Sequence, residues 1–239
     1  MNEDLIVLDP AVRQRGLVWP ASARGLVVLA HMDRASQQRS GQRFIADVLR
    51  ANGLATLAVT LHPAEEQQAG RPPPGQVQIK HRLRAVFEWL ATQMPGRQMP
   101  VALLGVDEAV RGCVAAAARY RPSALRSLIL LDGRPDHVSK LLARLSLPTL
   151  MVLGACDSRS LNRHRAALRQ MTAPSQLEVL AMKTQPAAAP GAHQACAHAA
   201  MRWLDRTLWH GDAPQVPVQA GTGPVLPPRQ GFSAAGAGR

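Results

Sequence analysis

The sequence predicts an α/β fold, a three-layer sandwich in which helices cover both faces of a mostly parallel sheet of about eight strands. Short apolar runs alternate with amphipathic helical patterns over residues 1–210, and the run that begins "GLVVLA" (25–30) is continuously apolar, which is typical of strands buried on both faces. The chain has 239 residues, 46% of them hydrophobic, which is enough for one large core. We therefore expect one folded domain over 1–210.

The first half of the chain contains four predicted strands and two predicted helices. Strands 4–9 and 15–20 are expected to pair antiparallel at the sheet edge, followed by strand 25–31, a helix over 40–53 and strand 54–61. After the rigid loop "RPPPG", a long helix is expected over 76–94. Apolar residues at helical spacing define the buried sides of the two helices: Phe44, Ile45, Val48 and Leu49 in the first, and Val77, Leu83, Phe87 and Leu90 in the second.

The second half repeats the strand–helix unit four times. Its predicted strands are 99–105, 125–131, 148–154 and 176–182, and its predicted helices are 107–120, 136–145, 158–171 and 192–209. Residues 211–239 are rich in glycine, proline and alanine and show no helical or strand period, so we expect a disordered tail.

Charge and composition limit the possible partners. The net charge is +12, but the arginines are scattered singly and aromatic residues make up only 3%, so a nucleic-acid-binding platform is not favoured. No apolar stretch is long enough to span a membrane, and "MNEDLIVLDP" does not resemble a secretory signal, which predicts a cytoplasmic protein without membrane association. Cys113, Cys156 and Cys196 form no C-x-x-C pair and the histidines form no H-E-x-x-H motif, so we predict no metal site and no cofactor.

The stretch "LLGVDEAVRG" (103–112) contains a strand that turns directly into a helix. The pattern matches the G-x-S-x-G nucleophile elbow, except that Asp107 stands at the serine position and Ala109 at the second glycine position. Two interpretations are open. Asp107 is either an N-cap of the following helix, where a carboxylate is stabilised by free N–H groups, or an unusual nucleophile.

Several segments together resemble one enzyme superfamily over residues 15–210: "RGLVVLAH", "FIADVLRANGLATLAVTLHPAEE", "VALLGVDEAV", "LDGRPD" and "PTLMVLGACDSRSLNRHRAAL". They are similar to the α/β-hydrolases, and in detail to the small dienelactone-hydrolase-like branch. The resemblance implies an oxyanion loop after the third strand and a serine or cysteine at the elbow. It also implies an aspartate after the seventh strand and a histidine after the eighth.

The resemblance assigns each of these positions in this chain. His31 and Met32 fall in the substrate and oxyanion loop, where the family favours glycine, and Glu108 follows the elbow residue Asp107. We expect an ordinary polar loop there, with His31 hydrogen-bonded to backbone. Asp157 occupies the position of the orienting acid, although it also suits a helix N-cap.

The histidine position departs from the family pattern. It falls at Gln185, which has no titratable nitrogen and cannot serve as a general base. His193 lies eight residues further along, and either a shifted loop brings it to the site or it lies with His198 on the exposed side of the last helix.

These positions lead to three hypotheses. The first is a catalytically degenerate hydrolase relative that binds a small molecule or a protein partner near Met32, Asp107 and Asp157. The second is an active hydrolase of small esters, lactones or halides, with Asp107 as nucleophile, Asp157 as orienting acid and His193 as base. The third is a basic protein that associates with nucleic acid.

Overall fold

The structure is a computed structural model that describes residues 4–9, 12–18, 22–39, 41–93, 99–120, 123–154, 158–180 and 190–209. The strands are β1 (Asp4–Asp9), β2 (Val12–Val18), β3 (Leu26–His31), β4 (Ala55–Thr60), β5 (Val101–Val106), β6 (Leu125–Leu131), β7 (Thr149–Leu153) and β8 (Ser175–Val179). The helices are α1 (Arg34–Arg39), α2 (Gln42–Ala51), α3 (Ala64–Gln68), α4 (Gln76–Gln93), α5 (Ala109–Tyr120), α6 (Ser139–Leu142), α7 (Ser158–Leu168) and α8 (Pro190–Thr207), with a 3₁₀ helix at Pro135–Val138.

The strands form one sheet in the order β1-β2-β4-β3-β5-β6-β7-β8. The six strands from β3 to β8 run parallel, while β1 and β2 form the antiparallel pair expected at the edge. Parallel strands need a crossover connection, and the segments between these strands supply it by returning the chain to the same end of the sheet. The predicted α/β class is confirmed.

Two apolar clusters, one on each face of the sheet, form the core. Successive side chains of a strand point to opposite faces, so Val28 of β3 packs in the cluster with α4 and α5, whereas Val27 packs in the cluster with α2 and α8. On the second face, α8 is anchored to β6 by polar groups. Trp203 Nε1 donates to Ser127 Oγ at 2.9 Å, and the Thr207 hydroxyl lies 3.1 Å from the same oxygen.

The structure corrects several predicted details. Phe44 and Val77 are 42% and 63% exposed, because they lie about 100° and 200° around their helix axes from the buried Ile45 and Ile79. The helix predicted over 136–145 is divided into the 3₁₀ helix and α6, and the short helices α1 and α3 form where loops were expected.

The second edge strand lies nearer the start of the sequence than predicted. β2 covers Val12–Val18 rather than 15–20. None of the helices in the described ranges combines the length and the apolarity that crossing a bilayer requires. The predicted tail, 211–239, lies outside the described residues.

Candidate functional site

The turn after β5 holds Asp107 in a left-handed backbone conformation, with a φ of 49°. Its N–H donates to the carbonyl of Leu131 on β6 at 3.0 Å, and its own carbonyl accepts the N–H of Val110 at 3.2 Å. An N-cap residue has extended backbone and directly precedes the helix, whereas α5 begins two residues later, at Ala109. The backbone at Asp107 is therefore that of a sharp strand–turn–helix elbow rather than of an N-cap.

Small residues allow the elbow to close. A Cβ atom at Gly105, the first glycine position of the motif, would lie 2.6 Å from Cys113 Sγ on α5. At Gly133 (φ 80°) a Cβ atom would lie 2.6 Å from the carbonyl oxygen of Asp107. Ala109, at the second glycine position, is completely buried. Larger side chains at these positions would separate the helix from the sheet, so the sequence keeps the packing of an elbow.

A cavity of about 480 Å³ opens beside this turn. It lies at the carboxyl ends of the parallel strands, where open α/β sheets place their ligands. Its described lining residues come from the elbow, from the segment after β6 and from the first part of α7: Asp107, Glu108, Arg111, Gly133, Arg134, His137, Ser160 and Arg163.

Charged side chains in this region form local pairs. Arg134 Nη2 donates to Asp136 Oδ2 at 3.1 Å, and His137 Nε2 lies 3.8 Å from the same oxygen. Burial acts to raise the pKa of Asp136, but the hydrogen bond and charge of Arg134, with His137 nearby, outweigh it and lower that pKa. On α7, Arg163 Nη2 donates to Ser160 Oγ at 3.0 Å.

Asp132 is a second residue with a left-handed backbone, with a φ of 54° at the end of β6. Its Oδ1 accepts the N–H of Gly154 at 2.9 Å. Burial raises the pKa of its carboxyl group, and the hydrogen bond from Gly154 and the charge of His164 only partly offset that effect. The sequence motifs assign Asp132 no role, although "LLDG", like "LLGVD", ends an apolar strand with an aspartate.

The segment expected to form the oxyanion loop begins inside a strand in the structure. Pairing of β3 with β4 continues to the register of His31 with Thr60, so His31 is the last residue of a strand and is fully buried. Its Nε2 lies 2.8 Å from the side-chain oxygen Thr60 Oγ1, and a backbone hydrogen bond with Leu29 also acts on the imidazole. Burial lowers the pKa of His31 to about 4, although the neighbouring Gln42 and Asp33 oppose this shift.

The residues after His31 lead directly into α1. Met32 packs in the core and its carbonyl accepts the N–H of His62 at 2.6 Å. Asp33 Oδ1 accepts the N–H of Ser36 at 2.7 Å, as expected for a helix-capping carboxylate. The loop after β3 therefore contains a core methionine and a capping aspartate.

His193 lies in the first turn of α8, half-buried against the start of α2. A Cβ atom on Gly41 would lie 2.1 Å from Cγ of this imidazole, so the ring is in close contact with the glycine backbone. His198 is exposed, as one of the two interpretations expected. Asp157 and Gln185 lie outside the described residues.

The structure thus separates the predicted site residues into groups. Asp107 and Glu108 line one cavity, and the imidazole among its described lining residues is that of His137, not of His193. His31 and Met32 are buried at the end of β3. In the described ranges no three His, Cys, Asp or Glu side chains cluster in a way that could hold a metal ion.

Comparison with solved structures shows which fold this is. Dienelactone hydrolase from Anabaena variabilis superimposes with a TM-score of 0.76 and 26% identity, over 87% of this chain and 97% of that chain. The esterase domain of a Rhodothermus marinus protein gives 0.68 at 12% identity, over 87% and 99% of the two chains. Est1E from Butyrivibrio proteoclasticus gives 0.66 at 13% identity, over 86% and 100%.

The curated relatives of this sequence carry a description that differs from those of the solved structures. Two proteins from Mycobacterium tuberculosis strains, each called "Putative phosphoribosyl transferase", are 30% identical over 203 residues. The match covers 85% of this chain but 46% of theirs, so the chain spans about half the length of these relatives. No protein-family model matches the chain.

Proposed function

We propose that this chain, which belongs to the α/β-hydrolase superfamily and resembles its dienelactone-hydrolase branch, is a non-hydrolytic binding member of that superfamily. The observation that carries the proposal is which residue occupies the nucleophile position of the elbow. A carboxylate, Asp107, occupies the position of the nucleophilic hydroxyl or thiol, in a cavity of about 480 Å³ with three arginines in its lining. Such a cavity is suited to holding a ligand.

Acyl transfer needs a nucleophile, a base and an oxyanion hole that act together. Loss of the base alone reduces turnover by about three orders of magnitude or more, and further losses then cost little. In this chain the family's histidine position holds Gln185, and His193 packs against Gly41. Met32 replaces the expected glycine and its side chain is buried in the core. These substitutions support loss of hydrolysis with retention of the cavity.

A turnover assay tests the proposal. We expect the purified chain to hydrolyse p-nitrophenyl acetate and a panel of short haloalkanes no faster than Asp107→Ala and His193→Ala variants. His137→Ala belongs in the set because this imidazole lines the same cavity, and His198→Ala is the matched control with an exposed ring. Turnover that disappears in the Asp107 variant together with either the His193 or the His137 variant, but persists in the control, would overturn the proposal.

The alternative is an active hydrolase, which the left-handed backbone at Asp107 favours. In that case an Asp107 oxygen would displace the halide of a haloalkane to form an alkyl ester, or the alkoxide of an ester or lactone to form a mixed anhydride. Water, deprotonated by His193, would then hydrolyse this covalent intermediate and regenerate the carboxylate. Mass spectrometry of the protein after rapid quenching distinguishes the two, because only the alternative adds the mass of the substrate's alkyl or acyl group at Asp107.

A cytoplasmic location remains a prediction from the sequence, as does the third hypothesis of nucleic-acid association. The net charge of +12 supports the latter. Binding of that kind weakens steeply with salt because counterions are released from the phosphate backbone. A fluorescence anisotropy titration with duplex DNA at low and high salt is the test, and DNA binding that is absent or insensitive to salt would dismiss the hypothesis.

A further inference from the structure

We propose that the cavity beside Asp107 binds a phosphate monoester of a small polyol, with the phosphate held by Arg111, Arg134 and Arg163. The inference rests on the proposed function, because it assigns a ligand class to the same binding cavity. It depends on the arrangement of the charged groups around the cavity and on the helices that begin there.

Three arginines line the cavity from three different elements. Arg111 lies on the first part of α5, Arg134 precedes the 3₁₀ helix after β6, and Arg163 lies on α7. A guanidinium group stays charged throughout the physiological pH range and donates two parallel hydrogen bonds that match the oxygens of phosphate. Convergence of three such groups on one concave surface is an arrangement that recognises an anion.

The contacts of these arginines with their neighbours leave the guanidinium groups with charge and N–H donors for a ligand. Arg163 donates to the neutral hydroxyl of Ser160, so its positive charge is not neutralised by that contact. Arg134 is paired with Asp136 but is half-exposed, at 52%, and keeps further N–H donors. Within the described ranges Arg111 makes no ion pair. Together they suit a dianionic group better than a single carboxylate.

Helix termini add to the positive potential. Both α5 (12 residues) and α7 (11 residues) begin beside the cavity, which is lined by Asp107 and Glu108 just before α5 and by Ser160 in the first turn of α7. The N-terminus of a helix carries a partial positive charge and N–H groups without helical partners. Two such termini facing one cavity strengthen the attraction for an anion.

The acidic residues in the same lining indicate which chemical groups the rest of the ligand carries. Asp107 and Glu108 line the cavity too, and their carboxylates would repel a second anionic group while accepting hydrogen bonds from hydroxyls. A ligand with one phosphate and a hydroxylated remainder satisfies both sides. A bisphosphate or a dicarboxylate does not, and this distinguishes a selective site from general attraction to a basic protein.

Isothermal titration calorimetry with sn-glycerol 3-phosphate is the test, with inorganic phosphate and glycerol as companion probes. We expect saturable binding of the ester, weaker binding of inorganic phosphate and none of glycerol. Arg111→Gln and Arg163→Gln should each weaken binding about tenfold, because each removes charge-assisted hydrogen bonds. The matched controls are Arg119→Gln and Arg165→Gln, exposed arginines on the same two helices that do not line the cavity.

Three results would overturn the inference: no saturation with the ester, equal weakening in all four variants, or binding of glycerol as tight as that of its phosphate. Circular dichroism of each variant shows whether it is folded, and Arg111→Lys and Arg163→Lys, which keep the charge, should retain more affinity than the glutamine variants. Running the p-nitrophenyl acetate assay on the same preparations separates the two proposals. Asp107-dependent turnover overturns the non-hydrolytic role, whereas a flat phosphate titration without turnover overturns only the phosphate assignment.

Discussion

His31 is a titratable residue in an environment that excludes its charged form. It is completely buried at the end of β3, and its pKa is lowered to about 4 from the 6.5 of an unperturbed imidazole. Between these two values the unfolded chain binds a proton that the folded chain does not. The contribution of this residue to stability is therefore complete above pH 6.5 and decreases as the pH falls from 6.5 towards 4.

We predict that acidification across this window lowers the free energy of unfolding by about 3 kcal/mol through His31 alone. Urea unfolding at several pH values between 7.5 and 4.5 measures the effect. His31→Gln should flatten the pH dependence, whereas His198→Gln, at an exposed position, should leave it unchanged. An unaltered slope in His31→Gln would show that other groups cause the acid sensitivity.

For individual residues, the sequence predicts which residue occupies a motif position better than it predicts the surroundings of that residue in the fold. The departure at Asp107 can be found from the G-x-S-x-G spacing, because the motif fixes which residue lies on the turn. Neither the burial of His31 nor the left-handed backbone of Asp132 can be found that way. Both depend on how far neighbouring strands pair, which is a long-range property.

The contact between α2 and α8 includes one tightly packed glycine. Gly41 precedes α2 with a φ of 62°, and the ring of His193 occupies the space that a side chain would need. Left-handed backbone and steric exclusion both act at this position. The contact positions the first turn of α8 and thus the histidine that the hydrolase alternative requires.

We predict that Gly41→Ala destabilises the protein by about 3 kcal/mol, through backbone strain and a clash with the His193 ring. Gly70→Ala is the control for strain alone, since Gly70 has a φ of 68° but open space around it, and should cost about 1 kcal/mol. Urea unfolding measures both. The double variant Gly41→Ala/His193→Ala should recover part of the loss, and additive effects would contradict the proposed contact.

Elements with strong periodicity were predicted most accurately. The strand over 125–131 matches β6 residue for residue, because the apolar run 128–131 ends at the turn residues Asp132 and Gly133. The prediction of one helix over 136–145 was wrong, since residues 135–138 form a 3₁₀ helix and α6 covers only Ser139–Leu142. The order of the elements can therefore be predicted from the sequence, whereas the local geometry at a site has to be taken from the structure.

The whole molecule combines a large apolar core with a strongly basic composition. Both faces of the sheet are covered by helices, and the described part of α8 closes the second face through Trp203 and Leu204. The sequence pattern alone indicates this architecture, because the alternation of apolar runs and amphipathic patterns extends over residues 1–210. It does not indicate where the positive charge concentrates, which depends on the folded arrangement.

We predict that folding does not need residues 211–239. A chain that ends at residue 210 should unfold within about 2 °C of the full-length chain in differential scanning calorimetry, because its composition offers little apolar surface to bury. A chain that ends at residue 202 is the contrasting control. It loses the Trp203 indole that donates to Ser127, and should unfold far lower. A large loss from the shorter deletion would place the segment within the folded unit.

The elbow also makes position 107 a fixed attachment point. Backbone pairing and tight packing at Gly105 and Gly133 fix the turn. A side chain introduced at position 107 should therefore line the cavity as Asp107 does. Asp107→Cys would offer a thiol for a fluorescent or spin label there. Burial raises the pKa of the Cys113 thiol and, to about 12, that of the Cys196 thiol, which disfavours their reaction with the label. The third cysteine, Cys156, lies outside the described residues and is replaced by serine in the labelled variant. Such a label would report occupancy of the cavity directly.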